Sequence, residues 1–480
     1  MLKRIVISVF SLCLAFTMTG CSLTDFVGNM GLDPEDVKPL TTLPPATTTA
    51  IVPTTTVPAQ TIPEITLNEA SYGEYKVAPP KKSSTAINAV RAVSSASEVF
   101  SSEDIITRDP DTSAVLAREG ADIGIKNSTI VSNSLSSSSM DTRFFGMNSA
   151  VLCYPRSHIS INDSEIGTTG NGSAGVFSYG SGAVVDLASA EISTYGTLSY
   201  GVATTYKGNI FGSNPTIKTT GNYSPAVLVG RNGGTINLIS GEVSTTGIAS
   251  PAAYSAGELA LTGTKLSAQA SEAVIIEGKG SAMLTGCDIS SESTNTMRLF
   301  CSNSGDASPG LTTVNMFGGS VSTKTGAAFY VANTDAKIYL QKVDLKDTSG
   351  SLVTAVANDK WGEDGENGSN VRIIANFQDL KGDIYADNLS TVTVELTALS
   401  TFTGGINSTD TAKKADVILD ASSRWIVTEN SFVSEFTPGM ADFSNIIDNG
   451  YTIYYDPAEN PNFGGETITL QGGGLLAPTP

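Results

Sequence analysis

Ile166-Gly-Thr-Thr-Gly170, Ile192-Ser-Thr-Tyr-Gly196, Ile217-Lys-Thr-Thr-Gly221 and Val243-Ser-Thr-Thr-Gly247 are four versions of one phrase, at steps of 26, 25 and 26 residues. Each is an aliphatic residue, a short polar pair and a glycine bend. The phrase fades into Leu266-Ser-Ala-Gln-Ala270 and Ile289-Ser-Ser-Glu-Ser293. A β-type unit this short cannot bury an apolar face by itself and becomes stable only by stacking on its neighbours. A fixed period of this length is therefore the mark of a solenoid.

A second phrase keeps step with the first: Ser173-Ala-Gly-Val176, Ser199-Tyr-Gly-Val202, Ser224-Pro-Ala-Val227, Ser250-Pro-Ala-Ala253 and Ser271-Glu-Ala-Val274. A third alternates strictly, as Val185-Asp-Leu187, Ile236-Asn-Leu238, Leu259-Ala-Leu261 and Ile338-Tyr-Leu340. Bends such as Gly180-Ser-Gly182, Asn232-Gly-Gly234 and Gly278-Lys-Gly280 separate them. Three short strands per coil predict an all-β fold, a three-sided parallel β-helix, right-handed by the general preference of parallel crossovers. Alternation places Val185, Leu187, Ile236, Leu238, Leu259 and Leu261 inside, and Asp186, Asn237 and Ala260 outside.

The β-helix is expected over residues 113–430, a cap region over 84–112, and a C-terminal cap and tail over 431–480. In the first cap the spacing of Ile87, Val90, Val93 and Phe100 suggests a short amphipathic helix over residues 84–101, with a disordered lead-in as the alternative. At the other end, Trp425 and the run Ile453-Tyr-Tyr-Asp456 supply aromatic residues that the middle lacks, which suggests a broader, better sealed terminus.

The order of Ser113-Ala-Val115, Ser250-Pro-Ala-Ala-Tyr254, Glu272-Ala-Val-Ile-Ile-Glu-Gly-Lys279, Ser304-Gly-Asp306 and Trp425-Ile-Val-Thr428 resembles the pectin-lyase-like β-helix surface lipoproteins of Gram-positive bacteria. These are adhesin-like proteins. The resemblance implies a surface solenoid and leaves its chemistry open.

Residues 1–20 read as a lipoprotein signal peptide: Lys3 and Arg4, an apolar stretch from Ile5 to Phe16, then Met18-Thr-Gly-Cys21. Cys21 is the expected lipidation site. Residues 21–83 read as a lipid-anchored, disordered Thr/Pro-rich spacer, with Thr41-Thr-Leu-Pro-Pro45 and Pro53-Thr-Thr-Thr-Val-Pro58 favouring extended chain at about 3.1 Å per residue. The chain is thus expected at the extracellular face of the cell membrane, as a monomer held by its N-terminal lipid.

A net charge of −19 argues against nucleic acid and anionic polymers as partners. A glycan, a host surface or another envelope component fits better. Beyond Cys13 and Cys21, the three cysteines Cys153, Cys287 and Cys301 are an odd set, read as buried free thiols rather than a disulfide framework.

Four groups of residues are candidates for chemistry. The loop Asp359, Trp361, Glu363, Asp364, Glu366 and Asn367 is rich in oxygen ligands for Ca²⁺, and its Trp361 offers a ring for a sugar or for packing. Asn333-Thr-Asp335 and the single histidine, His158, are the nearest approach to a polysaccharide hydrolase, but no Asp-Asp pair and no Gly-His-Gly accompany them. Arg231, Lys207 and Lys279 are candidate bases for a lyase. Thr168, Thr194, Thr219 and Thr245 stack into a ladder that either orders water, as an ice-binding face does, or satisfies strand-end hydrogen bonds. The reading favoured is a non-catalytic surface lipoprotein for adhesion or ligand binding. A carbohydrate-active enzyme is the alternative and ice binding a remote one.

Overall fold

The computed structural model describes residues 82–480, apart from 293–294, 347–349 and 359. Each coil gives one strand to each of three sheets. Sheet 1 begins at β1 (Asn88–Ser94), sheet 2 at β2 (Ser97–Ser101) and sheet 3 at β3 (Asp104–Thr107). Strands then pair in parallel with their counterparts one coil on, the three sheets grow to 12, 14 and 10 strands, and two four-stranded sheets continue at the C-terminal end. This is the parallel β-solenoid that the repeats predict.

Register follows the repeat phrases. Ile166, Ile192, Ile217, Val243, Leu266 and Ile289 are successive Cα partners in sheet 3. Val185, Leu187, Ile236, Leu238, Leu259 and Leu261 are all at most 3% exposed and belong to one continuous core. Alternation was a sufficient guide here because a one-residue slip would have turned every aliphatic side chain out to water.

The polar half of the phrase builds a corner. Thr168 Oγ1 donates to the Ser173 carbonyl at 2.8 Å, and Thr194, Thr219 and Thr245 repeat the bond to the carbonyls of Ser199, Ser224 and Ser250. Those serines form a second ladder: the Ser199, Ser224 and Ser250 hydroxyls each accept the amide of the serine one coil back and donate to the carbonyls of Gly170, Gly196 and Gly221. Buried backbone polar groups at the turn are thereby satisfied. Glycine is obligatory where coils meet: a Cβ on Gly221 would lie 1.7 Å from the Gly196 carbonyl oxygen, and one on Gly247 1.9 Å from that of Gly221.

The bend from sheet 2 to sheet 3 is made by one left-handed residue per coil. Asn127, Asp163, Asn214, Gly263, Gly286 and Gly318 occupy it in six coils, in the region that Gly, Asn and Asp enter at least cost, while Ser102, Ser189, Ser240, Lys342 and Phe377 take the same conformation in others, with φ from 46° to 64° throughout.

The N-terminal segment differs from the helix suggested above. Residues 88–94 and 97–101 are strands of the first coil, broken by Ser95 at φ 54°. Val93 and Phe100 point into the core, whereas Val90 is 49% exposed. Short alternating strands on either side of a left-handed bend had mimicked a helical spacing. Parallel pairing also continues past residue 430, as Val417↔Phe436, Trp425↔Ile446 and Ser431↔Ile453. There Trp425 is fully buried, its ring 5.9 Å from both Phe402 and Phe436. The last strands close with an antiparallel pair, Ile468–Thr469 against Leu475–Pro478.

Candidate functional site: the outer faces of the solenoid

A parallel solenoid offers function three lateral faces, and here each is dressed differently. On sheet 1 the outward column runs Leu116, Leu152, Phe177, Ala203, Leu228, Tyr254 and Ile275, all at most 7% exposed. Two excursions cover it. Residues 133–150 carry α1 (Ser139–Phe145), capped by the Ser138 side chain on the Asp141 amide and ended by Gly146 at φ 70°. Residues 301–311 form the second. Trp361 adds a lid of its own, its ring 4.5 Å from that of Phe300.

Under these covers lies a buried charged cluster. Arg231, only 4% exposed, donates from Nε to Asp306 at 2.7 Å and from Nη2 to the Ser304 carbonyl at 2.9 Å. Arg143 of α1 also binds Asp306. The Phe144 ring centre is 5.3 Å from the Arg143 guanidinium and 4.9 Å from that of Arg231. Beside them Glu277, 1% exposed, accepts hydrogen bonds from the Tyr254 and Ser302 hydroxyls, from the Ser302 amide at 3.2 Å and from the Ser304 hydroxyl at 3.4 Å. Burial pushes its carboxyl up to about 7, against the Ser302 hydrogen bonds and with the help of the neighbouring Asp306. Two carboxyls and two guanidiniums meet here, all buried except the Arg143 side chain at 38% exposed, and they knit the two excursions to the sheet.

Sheet 2 is open. Its 14 strands display Asn, Thr and Ser, charged residues such as Asp122, Lys126 and Glu258 and the ion pairs Arg372–Glu395 and Lys414–Asp416, with exposed apolar residues among them, notably Phe211 at 41%, Ile239 at 52% and Met283 at 44%. His158 lies on this face, bridging Asp122 from Nδ1 at 2.8 Å and Asp186 from Nε2 at 2.9 Å. The Asp186 hydrogen bond raises the imidazole most, partial burial opposes it, and Asp122 adds to the rise, giving about 9. The two ring nitrogens face apart, so the histidine ties three coils together. Sheet 3 turns out an acidic column in which Glu165 and Glu191 are direct Cα partners, followed by Thr216 and Glu242.

The remaining candidates are placed as follows. Thr168, Thr194, Thr219 and Thr245 are at most 1% exposed, so the ladder faces the interior and its hydroxyls are committed to the corner. It presents nothing to ice. In the acidic loop, Trp361 and Asn367 are buried, and Asn367 Nδ2 donates to the carbonyls of Asn358 and, at 2.9 Å, Trp361. Glu363, Asp364 and Glu366 point to solvent. Asp359 lies outside the described residues, as does Cys21. Among the described residues no group of three or more His, Cys, Asp or Glu side chains is arranged to hold a metal ion.

Asn333-Thr-Asp335 does not converge on anything. Asn333 donates to the Cys301 carbonyl at 2.6 Å, Thr334 bonds Thr312 at 3.0 Å, and Asp335 accepts from Asn370 at 2.6 Å. Lys207 and Lys279 are exposed while Arg231 is buried in the cluster. Cys153, Cys287 and Cys301 are free and buried, with burial pushing the Cys301 thiol up to about 11. No helix among the described residues is long and apolar enough to cross a membrane.

The Glu277–Asp306–Arg231 cluster is what the sequence reading missed. Its members come from distant coils and share no motif. One signal was present: the coil step, mostly near 25 residues, lengthens to 36 between the paired Ile130 and Ile166 and to 32 between Ile289 and Val321, where the two excursions leave, and to 35 between Ile338 and Ile373, where the Trp361 loop leaves. Comparison with known protein families, with curated proteins and with solved structures returned no match. The class defined is an all-β parallel solenoid, and its function has to be argued from its faces.

Proposed function

We propose that this chain is a non-catalytic surface lipoprotein whose solenoid binds an extended neutral ligand, such as a glycan, along the outer face of sheet 2. The contrast between faces carries the reading. Sheet 1 has spent its outer surface on burying covers, and sheet 3 repels anions with its glutamates. Sheet 2 is the longest uncovered face, 14 strands, and it mixes amide and hydroxyl groups with charges of both signs and isolated apolar side chains standing out of it. Such a mixture suits a sugar, which offers hydroxyls to the polar groups and C–H faces to rings and aliphatics. The secretion signal, Cys21 and the Thr/Pro tract support a location on the extracellular face of the membrane.

The test is an array of glycans and extracellular-matrix components probed with the protein, beside Phe211→Ser and Met283→Ser on sheet 2 and Glu191→Gln on sheet 3. Loss of binding in the first two and not the third supports the reading. Cleavage of a polygalacturonate or other polysaccharide would replace it with the enzymatic one.

A further inference from the structure

The chain is fastened to the side of the solenoid before its first strand begins. The Ser84 amide donates to both oxygens of the Asp141 carboxylate, at 3.0 and 3.1 Å, and the Ser84 hydroxyl and the Thr85 amide donate to one of them at 2.6 and 3.0 Å. Asp141 belongs to α1 and is fully buried, whereas Ser84 is exposed. Next along the chain, Ile87 and Ala89 pack on the outer cluster of sheet 1 that α1 also covers. Hydrogen bonds to a carboxylate are about twice as strong as neutral ones. Three donors from two adjacent residues share this one, so they give way together or not at all.

The α1 excursion is in turn held far from the first coil. Arg143 binds Asp306, the Phe144 carbonyl accepts from Thr205 Oγ1 at 2.9 Å, and the Phe145 carbonyl accepts from the Tyr154 hydroxyl at 3.2 Å. Phe144, Phe145 and Met147 are buried beneath it. β1 has no such support. It is the edge strand of sheet 1, paired on one side only, with Thr112–Arg118, and terminal elements of this kind open most easily.

We infer that Asp141 is a tension clamp: a pull arriving from the chain N-terminal to residue 82 passes through Ser84 and Thr85 into α1 and bypasses the first coil. Loaded directly, β1 would peel from its partner one residue pair after another. Through the clamp, the same pull meets three donors at once and the buried α1 behind them. The use of such a clamp rests on the membrane-anchored reading above, in which a ligand held on sheet 2 pulls against the N-terminal lipid. The clamp itself does not depend on it.

Single-molecule stretching of the intact chain, made without lipid and held by handles at its two ends, tests this in wild type and in Ser84→Pro. The substitution falls on an exposed residue and removes both the amide and the hydroxyl that Ser84 gives to Asp141. Without the clamp the first coil peels first, and the chain between residues 85 and 112 lengthens by roughly 90 Å at about 3.3–3.6 Å per residue. The expected result is that this early step appears in Ser84→Pro and is absent from wild type below the force of the main unfolding. The same step at the same force in both proteins, or in neither, overturns the inference. Moving the first handle to Ser97→Cys places the load beyond the clamp. There wild type should also peel early and Ser84→Pro should behave identically; a wild-type coil that still resists, or a variant coil that is weaker, shows that the clamp is not what shields it. Should Ser84→Pro fail to fold, the two handle positions in the wild-type background decide alone. None of these traces involves a lipid, so they stand or fall separately from the anchorage that Cys21→Ala measures.

Discussion

Leu238 and Gly212 are Cα partners in sheet 2, and both face the core. A Cβ placed on Gly212 would lie 2.6 Å from Leu238 Cδ2, which means that the leucine side chain occupies the space the glycine leaves. Leu238 is fully buried. Truncating it to alanine removes the transfer energy of the lost carbons and opens a cavity that the glycine beneath cannot fill, so the cost belongs at the upper end of the Leu→Ala range, about 4–5 kcal/mol. Gly212→Ala alone should also destabilise, by roughly 1–3 kcal/mol, because the new methyl strikes the leucine.

Combined, the two changes should partly cancel. The methyl that Gly212→Ala introduces enters the cavity left at residue 238, and the double variant should be more stable than the sum of the singles by about 1–3 kcal/mol. Urea unfolding followed by circular dichroism, with exchange of the 234–239 amides as a local readout, measures all four corners of the cycle. Strict additivity would mean that the two residues do not share a space, and the register assigned to sheet 2 would fall with it.

Three further outcomes are expected. Cys21→Ala should move the protein from the membrane fraction to the medium; unchanged detergent partitioning would disprove lipidation at that cysteine. As the only histidine, His158 should give one proton-NMR titration with a midpoint near 9; a midpoint at the ordinary 6.5 would rule out the Asp122 and Asp186 bridge. Because the folded value is the raised one, its contribution is complete below about 6.5 and disappears as pH rises through 9, and with 39% of the side chain exposed it should amount to no more than about 0.5–1 kcal/mol. Asp448 is fully buried and accepts the amides of Gly450, Gly472 and Gly474 at 2.7–2.8 Å. Burial alone would raise its carboxyl, but these bonds hold it below the usual range, so its contribution is present above about pH 4 and fades on acidification. Asp448→Ala should expose the 472–474 amides to exchange and cost on the order of 3–5 kcal/mol; unaltered exchange there would refute the staple.

The fold was legible because the core is written twice, once as a repeat along the chain and once as alternation within each strand. The threonine ladder shows where reading stopped short. Ile166 and Thr168 are two residues apart in one strand, so a strand must turn both to the same side; the buried isoleucine already implied a buried threonine. Its bond to a carbonyl five residues on then explains why threonine and not valine recurs. The cluster at Glu277 was illegible for a different reason. Its partners at residues 143, 231, 254 and 306 meet only because two excursions fold back on the same face, and nothing in a local window encodes that meeting. Only the lengthened coil steps betray it.

The electrostatics of the faces bear on the binding face proposed above. Glu165 and Glu191 stand opposite each other in adjacent strands, about 4.8 Å apart along the stack, an arrangement that costs a few tenths of a kilocalorie or more even in water. A lysine at either position would relieve it, as Lys265 does between Glu242 and Asp288. A repeat that retains a small penalty on sheet 3 while interspersing amides, hydroxyls and apolar side chains on sheet 2 gives the two faces different electrostatics, which supports the proposed choice of sheet 2 as the binding face. On sheet 2 the bridge of His158 to two aspartates removes one of the concentrations of bare charge. A charge-free polymer lying across the strands there meets paired rather than bare carboxylates at that bridge, and the desolvation penalty of covering them is correspondingly reduced.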